Sequence, residues 1–246
     1  MTRVTIHRAM VLAAGLGKRM RPLTEARPKP LVELAGRTLL DRALDHLDDA
    51  GVAEIVVNTH YRGEMIAGHL DGRPGIVLSP EEELLETGGG IVYALPHLGD
   101  GPFYVVNSDS VWSDGHVPAL RRLAALWDDS RMDALLLLHP TVACSGVHDR
   151  GDFHMKPDGR LRRRGEGQVA PFVFTGVQIL HPRLFDGAPV GPFSLNVLYD
   201  RAQEAERLFG LRHDGEWFHV GTPEELAATA ALFDGAPDPR EFWVRS

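Results

Sequence analysis

Residues 12–30 read LAAGLGKRMRPLTEARPKP: Gly15 and Gly17, then Lys18, Arg19, Arg21, Arg27 and Lys29, against a single acid, Glu25. This charge is local, because the 246-residue chain carries 26 Lys plus Arg against 34 Asp plus Glu, a formal charge of -8. Such a balance argues against a general nucleic-acid or anionic-membrane surface and toward a confined phosphate site. Lysine usage sharpens the point: the chain has 23 Arg but 3 Lys, and two of those three, Lys18 and Lys29, fall in this segment. Pro28 and Pro30 restrict the backbone on either side of Lys29 and so give its side chain a defined direction. A compact ammonium held in that way suits a phosphate that needs a point charge rather than a planar fork. Gly15-Leu16-Gly17 is not a dinucleotide fingerprint, since Met20 stands where the third glycine belongs, and it lacks the Gly-Lys-Ser/Thr ending of a Walker A loop.

The surrounding elements must hold this loop at the edge of a sheet. Residues 9–13 read as a buried strand, and 38–50 as a helix with Leu40, Ala43, Leu44 and Leu47 on one face, closed by Gly51. Strand and helix then alternate: 54–58 strand, 62–70 helix, 75–79 strand, 89–98 helix, 102–107 strand, 117–128 helix and 132–138 strand. That order predicts an α/β fold, a Rossmann-like and mostly parallel sheet flanked by helices on both faces. Ligands of such sheets sit at the carboxyl ends of the strands, where a glycine turn lets backbone N–H groups approach phosphate oxygens. The alternation stops near residue 146, where DFHMKPDGRLRRR predicts a hairpin turning at Pro157-Asp158-Gly159. Residues 172–180 return as strand, 194–207 as helix and 216–220 as strand. A last helix starts with Thr222 as N-cap, Pro223 at the first position and Glu225 completing a capping box.

A single domain over 1–246 is expected, with a β-rich insertion at about 146–170. Cys144, the sole cysteine, has no disulfide partner within the chain, which suits a reducing compartment. No apolar run reaches the length of a membrane span, and a cytoplasmic protein is expected. The histidines show no H-E-x-x-H spacing, and neither Ser108-Asp109 nor Ser145-Gly146 has the context of a nucleophile elbow.

LAAGLGKRMRPLT followed by PKP resembles the signature of the sugar-1-phosphate nucleotidyltransferases. LETGGG, VVNSD and WFHVGTPEEL match successive motifs of that family in order, so the resemblance covers nearly the whole chain. It implies a glycosyltransferase-A-like nucleotidyltransferase fold with the hairpin on the sugar side. The implied reaction is attack of a sugar 1-phosphate on the α-phosphorus of a nucleoside triphosphate, with release of pyrophosphate. SPE with LETGGGI and VNSDSVW resemble the bacterial branch acting in cell-wall recycling, which implies UTP as donor and N-acetylmuramate 1-phosphate as acceptor. Guanylyl transfer to mannose or heptose 1-phosphate, or a non-catalytic sugar-nucleotide-binding protein, are the competing expectations.

By the same resemblance, Arg19 grips the outer phosphates and Lys29 bridges the α-phosphate and the sugar phosphate. Leu12, Ala13, Ala14, Gly15, Gly17, Lys29, Thr87 and Gly88 contact the nucleotide, and Gly88, Gly89 and Gly90 offer open backbone to a base. Glu86, Asn107 and Gly176 are expected at the sugar. Asp109 is the expected ligand of Mg²⁺, with Mn²⁺ as a substitute. His219 stands where most relatives have a second carboxylate; its imidazole ligates an ion, contacts a phosphate when protonated, or does neither. Many relatives also carry a lysine in a Glu-Lys-Pro motif that holds the sugar phosphate. Lys156-Pro157 belongs to the predicted hairpin instead, and Arg162, Arg163 and Arg164 either take that part or form a solvated strand end.

Overall fold

A computed structural model describes residues 5–144 and 150–233. In chain order its elements are β1 (Arg8–Leu12), β2 (Glu33–Leu34), β3 (Arg37–Thr38), α1 (Leu39–Asp49), β4 (Glu54–Thr59), α2 (Gly63–Leu70), β5 (Ile76–Pro80), α3 (Glu86–Leu98) and β6 (Phe103–Asn107). They continue with β7 (Val111–Ser113), α4 (Ala119–Leu126), β8 (Ala134–Pro140), β9 (Phe153–Met155), β10 (Leu161–Arg163), β11 (Phe172–Leu180), α5 (Asn196–Glu204), β12 (Leu208–Arg212), β13 (Glu216–Phe218) and α6 (Pro223–Phe233). Among the described residues, 9 strands join one sheet in the order β10-β9-β11-β6-β1-β4-β5, with β8 on β11 and β12 on β8. β5, β4, β1 and β6 are mutually parallel, as is the β8–β12 pair, while β11 runs against β6 and β8.

Successive strand residues point to opposite faces, so the two faces have separate cores. Ala9, Val11, Ile55, Val57, Tyr104 and Val106 meet α1, α2 and α4 through Leu40, Leu44, Ile66 and Leu123. Met10, Val56, Val105 and Leu136 meet α3 and α5 through Ile91, Ala94, Leu198 and Tyr199. Thr38 caps α1 as its hydroxyl accepts the Asp41 N–H at 3.0 Å.

A third cluster of Met20, Val32, Leu34, Leu39, Val111 and Val220 packs against Leu226, Ala230 and Phe233 of α6. It is the part of the core that positions the basic segment. Met20 is fully buried there, which is worth about 1.5–3 kcal/mol relative to exposure. The residue standing where a dinucleotide loop would have glycine is thus the anchor that fixes Lys18 and Arg19 beside the last helix.

The hairpin forms as expected, with β9 antiparallel to β10, the Gly159 N–H donating to the Lys156 carbonyl and Gly159 at φ +87. Sequence reasoning did not anticipate β12, the two-residue ribbon β2–β3, or the pairing of β7 with β13 in a small separate sheet. Among the described residues, no helix is long and apolar enough to cross a membrane.

Candidate active site

The carboxyl ends of β5, β4, β1 and β6 lie side by side, and a cavity of about 560 Å³ opens over them, within the usual range for small-molecule sites. Leu12, Ala13 and Ala14 form its floor, and the Ser108 N–H donates to the Leu12 carbonyl at 3.0 Å, extending the β1–β6 pairing into the site.

The two loop glycines have different tasks. A side chain at Gly15 would meet nothing within 4 Å, so its backbone borders open cavity. Gly17 lies at φ +60, and a Cβ there would sit 3.1 Å from both the Lys29 Cβ and the Thr24 methyl. The Gly17 carbonyl accepts the Thr24 hydroxyl at 2.8 Å and the Met20 N–H at 3.0 Å. The loop therefore folds over the stem of Lys29.

Lys29 begins a short 3-10 turn after Pro28, and its ammonium donates to Asp109 Oδ2 at 2.6 Å. Its side chain is only 12% exposed, while that of Asp109 is 39% exposed. A nearly desolvated cation needs an anion, and the carboxylate that supplies it remains open to the cavity. Lys18 and Arg19 stand exposed at the rim and make no ion pair among the described residues.

Beside Arg19, the late motif folds back on the site through Gly221, which lines the cavity. A Cβ on Gly221 would lie 2.6 Å from His219 Nε2, 3.0 Å from Glu225 Oε2 and 3.2 Å from an Arg19 amino group. The three side chains converge there. The Thr222 hydroxyl accepts the Glu225 N–H at 3.3 Å, while the Glu225 carboxylate accepts the Gly221 N–H at 2.8 Å, one residue before the position a capping box uses. His219 Nε2 lies 3.7 Å from Glu225 Oε2, outside the cavity lining. Among the described residues, no group of three or more His, Cys, Asp or Glu side chains gathers as a ready-made metal cage.

On the opposite wall, Glu86 starts α3 at φ +59 and lines the cavity with Thr87, whose hydroxyl accepts the Leu195 N–H at 3.0 Å. The glycines that follow are packed against protein. A Cβ would meet the Phe193 ring at 2.3 Å from Gly88, the Gly191 carbonyl at 2.5 Å from Gly89, and Glu81 Oε1 at 2.6 Å from Gly90. They allow α3 to sit close to residues 191–193 and to β5, so Gly88 lies beneath the wall rather than on it.

Asn107 lines the cavity and Gly176 stands behind it, at φ +82 in the bulge of β11 between Phe174 and Gln178. A Cβ on Gly176 would fall 2.2 Å from the Ser110 hydroxyl and 2.8 Å from Asn107 Nδ2. Glycine here sets how closely β11 approaches the site.

Two residues not singled out from sequence complete the wall. The Asn58 side-chain amide donates to Glu81 Oε1 at 2.7 Å while its carbonyl accepts the Ala13 N–H at 2.7 Å. Glu81 Oε2 accepts the Leu85 N–H at 3.0 Å. Both side chains are buried and line the cavity, tying the ends of β1, β4 and β5 to the segment before α3. The first polar residue after the apolar run of β4, Asn58, and the first acid after β5, Glu81, mark the strand ends where they sit.

Residues 9–219 match the MobA-like NTP transferase domain. The chain belongs to that family. It is 47% identical to an N-acetylmuramate alpha-1-phosphate uridylyltransferase of Caulobacter vibrioides over 91% of this chain and 96% of that protein. It is 37% identical to the enzyme of the same name from Neisseria meningitidis serogroup B, over 92% of this chain and 97% of that protein. A crystal structure of UDP-glucose pyrophosphorylase complexed with UDP-glucose superposes with a TM-score of 0.77 at 15% identity, covering 93% of this chain and 98% of the other, and shares the fold. The protein is thus a nucleotidyltransferase of the sugar-1-phosphate class, and its mostly parallel sheet flanked by helices is that family's architecture.

Proposed function

We propose that this nucleotidyltransferase joins UTP to N-acetylmuramate 1-phosphate, giving the UDP-sugar and pyrophosphate. The observation that carries the reading is the Lys29–Asp109 pair lining a cavity flanked by Lys18 and Arg19. The activity carried by the relatives from Caulobacter vibrioides and Neisseria meningitidis supports the choice of substrates.

In the reaction, an oxygen of the sugar 1-phosphate forms a bond to the α-phosphorus as the bond to the β-phosphate oxygen breaks. The electron pair leaves with pyrophosphate. The attacking oxygen is already anionic near neutral pH, so no base has to remove a proton. What remains is to bring two polyanions together in line and to neutralise the charge on phosphorus and leaving group. Lys29, directed by its neighbouring prolines and the Gly17 loop, serves the α-phosphate and the incoming phosphate. Arg19, without an ion-pair partner among the described residues, serves the outer phosphates. Gly15 leaves its backbone free to approach phosphate oxygens, and Asn107 with Glu86 faces the sugar.

The family's chemistry implies a divalent cation, and the donor set suits Mg²⁺ or Mn²⁺: Asp109 is a half-open carboxylate on the cavity wall, with substrate oxygens and water left to complete the shell. Bound there, such an ion supplies further neutralisation of phosphate charge. His219 Nε2 lies 3.7 Å from Glu225 and borders Gly221 together with Arg19. The acidic overall charge and the single cysteine support small-molecule partners and a cytoplasmic setting.

Pyrophosphate release measured with Mg²⁺ over a matrix of UTP, GTP, CTP and dTTP against N-acetylmuramate, glucose and mannose 1-phosphates tests the assignment. UTP with N-acetylmuramate 1-phosphate should be the preferred pair by at least tenfold. Preference for GTP with mannose 1-phosphate, or no turnover with any pair, overturns it.

A further inference from the structure

A second cavity, about 540 Å³, lies at the base of the β9–β10 hairpin against α5. It is close to the first. Ser194 lines the active cavity and Asn196 the second, while Phe174 lines the second and Gly176 abuts Asn107. Two residues of chain span at most about 7 Å, so the two cavities are neighbours across Ser194–Asn196 on one side and Phe174–Gly176 on the other.

Three of the polar side chains around it are already engaged, while those of Glu166 and Asn196 have no partner among the described residues. Arg163 donates to Asp200 Oδ2 at 2.5 Å and its backbone N–H to the Gln203 side chain at 2.7 Å. Asp152 Oδ2 accepts the Phe174 N–H at 2.8 Å, and the buried Tyr199 hydroxyl donates to Gln178 at 2.6 Å. Arg164 differs. Its Nε donates to the Gly151 carbonyl, which fixes the plane of the guanidinium, while its two terminal amino groups have no partner among the described residues. A half-buried guanidinium held at one nitrogen and open at two others is preorganised for a carboxylate, which it can grip through two parallel N–H donors.

We infer that the second cavity receives the acid-bearing side of the acceptor and that Arg164 is its specificity-determining residue, pairing with the carboxylate of the sugar's lactyl ether. The inference rests on the proposed acceptor. That sugar differs from its N-acetylglucosamine counterpart by the lactyl group alone, so a cation is what distinguishes one from the other. The aromatic edges of Phe153 and Phe174 in the same wall face the less polar part of the ring.

The test uses the full chain, UTP and Mg²⁺, and compares N-acetylmuramate 1-phosphate with N-acetylglucosamine 1-phosphate. The wild type should favour the acid sugar. Arg164→Met should raise KM for the acid sugar about 10- to 100-fold with kcat little changed, and leave turnover of the neutral sugar as it was; the neutral sugar thereby reports that the variant is folded. Arg164→Lys should recover only part of the loss, since an ammonium lacks the fork. A wild type that favours the acid sugar, with Arg164→Met retaining that preference or losing both activities equally, overturns this inference and leaves the proposed function standing. A wild type indifferent between the two sugars overturns both.

Discussion

Lys29 Nζ stands 2.6 Å from Asp109 Oδ2, although 80 residues separate them in sequence. The lysine comes from the loop that follows β1 and the carboxylate from the turn that follows β6, and β1 pairs with β6 directly. Sheet order therefore makes the site. The pairing also neutralises a cation that is nearly out of solvent, and leaves it beside the half-open carboxylate expected to meet a divalent ion. Asp109→Asn keeps the shape but removes the charge, so it should lower kcat for pyrophosphate release by about 10²–10³, the cost of losing one preorganised charge. Far-ultraviolet circular dichroism should be unchanged. Rates near those of the wild type would remove the assignment of Asp109.

Gly176 is the residue in β11 that cannot carry a side chain without cost. At φ +82 any other L-residue is strained, and its Cβ would meet the Ser110 hydroxyl, which already donates to the Thr175 carbonyl at 2.7 Å. Gly176→Ala should destabilise by on the order of 2 kcal/mol, lowering Tm by roughly 5 °C. It should also displace Asn107 and reduce turnover. Thermal unfolding beside the pyrophosphate assay checks this; a Tm and a rate equal to those of the parent would contradict it.

Away from the site, His139 and His213 are buried with ring centroids 6.0 Å apart. Burial pushes both imidazoles below their ordinary value, and the neighbouring His213 lowers His139 further. The unfolded chain binds protons at these positions from about pH 6.5 downward, where the native state does not. Their contribution is complete above that value and is lost as pH falls beneath it. Tm should therefore decline between pH 7 and pH 5.5, and His139→Leu should flatten the decline. A parent Tm constant across that window would count against the argument.

The strand-helix alternation was legible because each core strand has a short apolar run and each helix a single stripe, and β1, β4, β5, β6, β8 and β11 follow from those runs. β12 escaped because LFGLR is brief, interrupted by Gly210 and adjacent to a helix. Gly210 is there for packing: a Cβ would lie 2.7 Å from Leu161 and 2.9 Å from Leu138. At the site, the cations and Asp109 could be read from charge scarcity and motif order. The work of Gly88, Gly89 and Gly90 could not, because whether a glycine faces ligand or protein depends on what the rest of the chain brings against it, here Phe193, Gly191 and Glu81. The Asn58–Glu81 bond was hidden for the same reason, as it joins residues 23 apart.

The central claim is that the ammonium of Lys29 does the work of neutralising charge at the α-phosphorus. Steady-state pyrophosphate release from UTP and N-acetylmuramate 1-phosphate with Mg²⁺, compared between the parent and Lys29→Met, tests it most directly. A fall in kcat of about 10²–10³ is expected, with the Tm within a few degrees. A Lys29→Met protein that turns over at the parental rate would contradict the account.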